Sequence, residues 1–466
     1  MEKTQISITA KKMLPIILAT SIFMQMLEST ILNTSLPTIA AELNESPLKM
    51  QNAIISYVLT LAIFMPVSGF LADKFGTKKI FILSLVLFSL GSVLCAFSQN
   101  LDHLVIARVI QGIGGSMMTP VGKLALIKSY DKSEIIHALN YAIIPALIGP
   151  VLGPLVGGYL VDYLSWHWIF LINLPIGVLG IILTLKYMPD YKAETVKFDL
   201  KGFLIFSLAS LLLSVALEMI GNTPSTTPVL LVFIFGFLML FYYFKHAQKE
   251  SHPIFPLNLF QIRTFRVGIL GNLATRLGIS SISLLVPLMV QIAYGESAVL
   301  SGWIVAPMAL TAMFGKSYVI RILNRFGYRK TLLLNTIILG LLICLMAVPD
   351  KDSSVYWFIP ILSLMGFFNS IQFTSMNTIS ISDLRDFQES SGNSLISVNQ
   401  QLAMGFGIAF GLLVLNFLEH TNFVLNSNTH NAFRYTFLIM GVITLLSSLV
   451  FLRLHISDGK NMQTHK

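Results

Sequence analysis

The sequence predicts an all-α polytopic membrane protein of fourteen transmembrane helices, built as two six-helix bundles with two further helices inserted between them. Three observations predict it. The composition is too apolar for an aqueous surface, fourteen apolar windows have bilayer length, and a charged heptapeptide recurs at a fixed offset.

The 466 residues are 55% hydrophobic and 11% charged, with 33 Phe and 20 Met, and the mean hydropathy is +0.75. Soluble chains carry about 25% charged residues. This chain lacks the polar surface to cover one aqueous core, which excludes a cytosolic enzyme, a secreted domain and a disordered scaffold. Cys95 and Cys344 both lie in apolar runs and read as small buried hydrophobes, not as a disulfide framework.

About 20 apolar residues cross a bilayer core. On that rule the spans are 13–36, 50–70, 80–99, 103–123, 136–161, 168–188, 200–218, 228–247, 264–290, 299–323, 331–349, 354–380, 392–418 and 432–453. Lys3, Lys11 and Lys12 precede the first, but no small-residue cleavage site follows it, so it reads as an uncleaved span. The longest inner connections are 189–199 and 248–263.

Charge orients these spans. With the N-terminus inside, 25 of the 31 basic residues fall in or beside cytoplasmic loops. Only Lys49, Lys351 and Arg434 fall outside, and Arg108, Arg276 and Lys316 lie within spans. The excess of Lys and Arg marks the cytoplasmic side. Both termini are therefore expected there, and the net charge of +9 needs no nucleic acid to explain it.

The heptapeptide Asp73-Lys74-Phe75-Gly76-Thr77-Lys78-Lys79 after span two returns as Asn324-Arg325-Phe326-Gly327-Tyr328-Arg329-Lys330 after span ten, 251 residues on. That offset exceeds a six-span half by roughly one helical hairpin. Residues 1–190 then form the N-terminal bundle, 191–250 the inserted hairpin with its linker, and 251–466 the C-terminal bundle. Such repeats mark secondary transporters.

The motifs now on the page resemble those of the major facilitator superfamily. Gly69-Phe70-Leu71-Ala72-Asp73 with its basic turn resembles the signature between spans two and three. Arg108-Val109-Ile110-Gln111-Gly112-Ile113-Gly114-Gly115 resembles the span-four arginine motif. Gly149-Pro150-Val151-Leu152-Gly153-Pro154-Leu155-Val156-Gly157-Gly158 is similar to the span-five motif of its exporting branch. Leu27 to Pro37 and Trp166 to Asn173 are similar to the fourteen-span drug:proton antiporters. The resemblance implies the major facilitator fold and proton-driven export by alternating access in the cell inner membrane. Glu28 stands where that family usually has Asp, His167 where it usually has Arg, and Asn324 replaces the acid of the second loop motif.

Glu28 is the one carboxylate well inside a span, beside a polar stripe of Ser21, Gln25, Ser29 and Asn33. Intramembrane acids are expensive and commonly face a cavity or relay protons. Glu28 sits eight residues from Leu36 and Arg108 five from His103, so their depths are about 12 and 8 Å and long side chains can meet. The pair is expected to couple protons; a permanent salt bridge would look identical in sequence. Gly149, Gly153 and Gly157 form a packing stripe, and Pro150 and Pro154 permit a bend. By resemblance this segment, with Gly69, Asp73, Gly76 and Lys78, gates the cavity; close packing and a basic topology signal are the plainer readings. Gln25, Ser29, Asn33 and Arg276 are the candidate cavity residues.

Neither a catalytic residue nor a metal ligand is expected, since no His pair has metal spacing beside a carboxylate. Gly315-Lys316-Ser317 lacks the earlier glycine of a P-loop, where Leu310 stands, and lies in a span. The expected energy source is the proton gradient, with no cofactor. The expected partners are the lipid bilayer, protons and a small molecule, with a monomer the simplest state. Three intramembrane cations against one acid leave a second substrate class open, anionic metabolites or metal–carboxylate chelates. A membrane sensor without transport is the alternative of another class, although no sizeable signalling loop is present.

Overall fold

The computed structural model describes residues 7–130, 134–135, 138–139, 141–142, 148–193, 197–222, 226–420 and 429–462. Among them every regular element is helical. The chain falls into two compact units, residues 1–198 and 199–466. Among the described residues twelve helical segments are long and apolar enough to cross a membrane.

The first unit holds α1 (Ile8–Glu42), α2 (Gln51–Phe75), α3 (Thr77–Ala96), α4 (Leu101–Ser129), α5 (Gly149–Tyr163), α6 (Trp168–Leu171) and α7 (Asn173–Tyr187). Asn100 starts α4 as its cap, accepting from the His103 amide at 2.8 Å. Apolar residues surround most helices rather than striping them, as expected where lipid replaces water. Small residues then decide which helices touch. A side chain at Gly114 would strike the α3 backbone at Ser84 and Phe88, and one at Gly112 would strike Thr60 on α2. The glycine stripe of α5 lies on α1 in the same way. A Cβ at Gly149 would stand 3.0 Å from Leu27 N, and one at Gly157 only 2.5 Å from Ile31 O. Of the expected span 136–161, residues 136, 137, 140 and 143–147 lie outside the described residues, and His137 with them.

The second unit holds α8 (Leu200–Asn222), α9 (Thr226–Ala247), α10 (Arg263–Leu288), α11 (Ala298–Leu345), α12 (Phe358–Ile381), α13 (Asp386–His420) and α14 (Thr429–Ser447). Helices α8 and α9 pair as a hairpin, and α10 packs on α13, α14 and α12. Beneath α10 to α12 lies a core of Val267, Leu323, Tyr328, Leu332, Ile379 and Phe451.

The repeated heptapeptide proves tighter than a loop. In the first unit Gly76 alone separates α2 from α3, with φ 107° and ψ 140°. In the second, α11 runs 48 residues with one non-helical position, Gly327, at φ 73° and ψ 167°. Positive φ with extended ψ is a region that essentially only glycine occupies. The connections expected at 71–79 and 324–330 are therefore single-glycine corners: charge ends an apolar window without ending a helix.

Candidate functional site

A fully buried polar assembly sits in the first unit, where α1, α2, α3, α4 and α7 meet. Glu28 is fully buried on α1, and Arg108 on α4 is 1% exposed. Arg108 Nη1 donates to Glu28 Oε1, forming an ion pair. Asn173, the first residue of α7, donates to Glu28 Oε2 at 2.6 Å. The guanidinium is held by two further acceptors. Its Nε donates to Ala53 O at 2.9 Å and its Nη1 to Gln111 Oε1 at 2.7 Å. Gln111, one turn along α4, donates in turn to Ser92 Oγ on α3 at 2.9 Å. The Tyr57 ring lies 4.3 Å from the guanidinium carbon. Both charges are thus desolvated, paired and hydrogen-bonded, the condition under which a buried ion pair is tolerated.

Among the described residues two polar atoms of this assembly lack a hydrogen bond, Tyr57 Oη and Asn173 Oδ1. Asn173, Tyr57 and Ser92 were not singled out by sequence reasoning. Only Asn173 left a signal, as the last residue of the Trp166 motif.

The other candidates lie around this centre or apart from it. Gln25 is buried on α1, accepting from Thr119 Oγ1 at 2.6 Å and donating to Gly115 O at 3.4 Å. Asn33 is buried, while Ser29 is half-buried with its hydroxyl on Met26 O at 2.8 Å. A cavity of about 850 Å³ opens between α1, the segment after α4 and α7, lined by Lys12, Thr20, Phe23, Tyr130, Glu134 and Tyr141 among others.

At the α2–α3 corner, Asp73 accepts from Lys128 Nζ, in the last turn of α4, at 2.9 Å. Lys78 is tied twice, its amide donating to Asp190 Oδ1 at 3.1 Å and its ammonium to Leu185 O at 2.7 Å. A Cβ at Gly76 would overlap the Asp190 carboxylate, so the segment after α7 closes over the corner. Gly69 differs, since a Cβ there would meet nothing within 4 Å.

In the second unit Arg276 is half-buried on α10. Its Nε donates to Asn272 Oδ1 at 3.0 Å and its guanidinium carbon lies 5.1 Å from the Phe373 ring. Lys316 is exposed. No carboxylate pairs with Arg276 among the described residues.

The sequence model of the Major Facilitator Superfamily matches residues 18–408 and 268–464. The chain belongs to this superfamily. It is a multi-pass membrane transporter and not an enzyme. Among its relatives, "Putative multidrug resistance protein MdtD" of Pectobacterium atrosepticum is 42% identical over 442 residues, covering 94% of each chain. The protein of that name from Salmonella heidelberg is 42% identical over 451 residues, covering 96% of this chain and 95% of its own. The fold is shared with a peptide transporter of the POT family in complex with sulfate, at TM-score 0.71, 14% identity and coverage of 97% of this chain and 96% of that one. It is shared also with the nucleoside transporter NupG, at TM-score 0.62, 13% identity and coverage of 96% and 98%.

Proposed function

We propose that this superfamily member is a proton-coupled multidrug exporter of the inner membrane, working by alternating access with both termini cytoplasmic and acting as a monomer. The observation that carries the proposal is the buried Glu28–Arg108–Asn173 assembly. A fully buried carboxylate held by one cation and one amide has two states, ionised and paired or protonated and released. Switching between them changes what α1, α4 and α7 hold in common. Glu28 carries the proton and Arg108 is its counter-ion. The proton gradient is the energy source, and no cofactor is needed. The names of the relatives support the drug class, and a cavity of about 850 Å³ suits a drug-sized molecule.

A count of fourteen spans fits this reading. A straight helix of 48 residues would measure about 72 Å, more than twice a hydrocarbon core. Divided at Gly327, α11 supplies two crossings. The expected span 136–161, of which α5 is a described part, is counted as another, and α8 with α9 is the hairpin between two six-helix bundles. In the gate, Asp73, Gly76 and Lys78 hold the α2–α3 corner, Gly69 faces open space, and Gly149, Pro150, Gly153, Pro154 and Gly157 let α5 lie against α1. Gln25, Ser29 and Asn33 share α1 with Glu28, and none of the three lines the cavity of about 850 Å³.

Arg276 favours a second reading of the cargo. An intramembrane cation whose contacts are a neutral amide and a ring keeps its charge available to an anion. Neutral or anionic molecules, including metal–carboxylate chelates, are then preferred.

The deciding experiment is transport in proteoliposomes under an imposed pH gradient, with wild type and Glu28→Gln compared on a lipophilic cation and a matched organic anion. Uptake driven by the gradient in wild type and lost in Glu28→Gln supports the mechanism. Uptake that needs ATP and ignores an uncoupler refutes it.

A further inference from the structure

Where α8 begins and α9 finishes, three metal-capable side chains meet that sequence spacing does not disclose. Asp199 immediately precedes α8, His246 lies in the last turn of α9, and Glu250 follows four residues later. Asp199 Oδ1 accepts from the Gly202 amide at 2.8 Å, as a helix cap does, and lies 2.7 Å from His246 Nε2. Glu250 stays on the helical course because its amide bonds His246 O at 3.1 Å, and four-residue spacing puts two side chains on one helical face. One ligand atom from each residue lies within 4.8 Å of the others.

The cap and the His contact use only one oxygen of Asp199. The side chain is 3% exposed, yet Oδ2 makes no hydrogen bond among the described residues. That oxygen rests against the bare Cα of Gly202, where a Cβ would overlap it. The neighbouring Lys201 and Lys245 lay their ammonium groups over the Tyr242 and Phe241 rings, at 5.7 and 5.6 Å. A buried carboxylate that keeps one oxygen without a donor, and whose other oxygen meets an imidazole with a second carboxylate nearby, is the environment a cation completes.

We propose that Asp199, His246 and Glu250 form a site for a divalent transition-metal ion of the zinc class. One imidazole nitrogen with two carboxylates suits such an ion better than magnesium or calcium, which take oxygen ligands. Three protein ligands leave a fourth position for water. Zinc bonds of about 2.0–2.2 Å put tetrahedral ligand atoms roughly 3.5 Å apart. The 2.7 Å contact between His246 and Asp199 opens to that separation as the ion replaces the proton they share, and the exposed Glu250 closes the remaining distance by a change of rotamer. Bound there, the ion fastens the first turn of α8 to the last turn of α9, at the end of the hairpin away from its connection. The site is independent of proton coupling and of the cargo.

The test uses the purified full-length chain in detergent, with any polyhistidine tag removed and Zn²⁺ alone as the probe in competition with a zinc indicator. One equivalent should bind. Glu250→Gln, His246→Asn and Gly202→Ala should each weaken binding at least tenfold, while His252→Asn, an exposed neighbour, should leave it unchanged. Zn²⁺ should slow hydrogen exchange of residues 199–205 and 243–250 in wild type and not in Glu250→Gln, which alters an exposed side chain and leaves folding intact. Equal zinc affinity in wild type and in the Glu250→Gln/His246→Asn double variant overturns the site. Binding of Mg²⁺ as tight as Zn²⁺ overturns it as well.

Discussion

Asn173 donates to the Glu28 oxygen that Arg108 leaves free, so both oxygens of this fully buried carboxylate are held, from two different helices. The amide adds no charge. It fixes the orientation of the carboxylate toward the guanidinium and ties α7 to an ion pair between α1 and α4.

Glu28→Gln should abolish pH-driven transport while the protein inserts and folds, because the amide keeps the shape and cannot titrate. Glu28→Asp should retain part of the activity. Uptake into inverted vesicles, with expression and melting temperature as controls, measures both, and wild-type coupling in Glu28→Gln would reduce the pair to a structural element.

Removing one partner differs from removing both. Arg108→Leu leaves Glu28 buried and unpaired and should destabilise the fold by about 3–5 kcal/mol. The Arg108→Leu/Glu28→Leu double variant should recover most of that stability and none of the transport. A double variant as unstable as the single one would show that Gln111 and Ala53 depend on the guanidinium more than Glu28 does. Thermal unfolding in detergent reads the difference.

Asn173→Leu should lower stability by about 1–3 kcal/mol, since Glu28 Oε2 then lies buried without this donor. Transport should fall with it, and Asn173→Gln should not rescue, because the longer side chain has no room at a buried helix start. Melting curves and initial rates of the two variants check this together.

Glycines of the two gating motifs should behave differently by position. Gly157→Val drives a side chain into the α1 backbone and should destabilise by about 1–3 kcal/mol. Gly76→Ala suffers both positive φ and overlap with Asp190 and should lose a similar amount. Gly69→Ala meets nothing and should melt at or slightly above wild type. A melting-temperature series decides, and a destabilised Gly69→Ala would count against this account of the corner.

The Glu28–Arg108 pairing was legible because depth along a helix follows from residue counts and a buried charge demands a partner. The α5 stripe was legible as packing, and the structure supplies its partner surface, Met26 to Thr34 of α1. Asn173 was not legible as a ligand of Glu28. Which helix presents its first residue to a carboxylate 145 positions away depends on how helices are arranged, and apolar periodicity inside a bilayer says little of that. The corners misled for a related reason, since Lys and Arg close a hydropathy window while leaving helical backbone intact. Asp199 and His246 escaped notice because 47 residues and a full hairpin separate them.

Surface connections ordinarily drift in length between relatives, because an added residue is absorbed by slack chain. The corners at Gly76 and Gly327 have none. One residue inserted or deleted beside either glycine would turn the whole following helix by about 100° and displace it about 1.5 Å along its axis. For α3 that would swing Ser92 away from Gln111 and carry Gly91 off the α4 backbone. An insertion or deletion at either of these two points would therefore cost the packing of the whole helix that follows, not the shape of a loop.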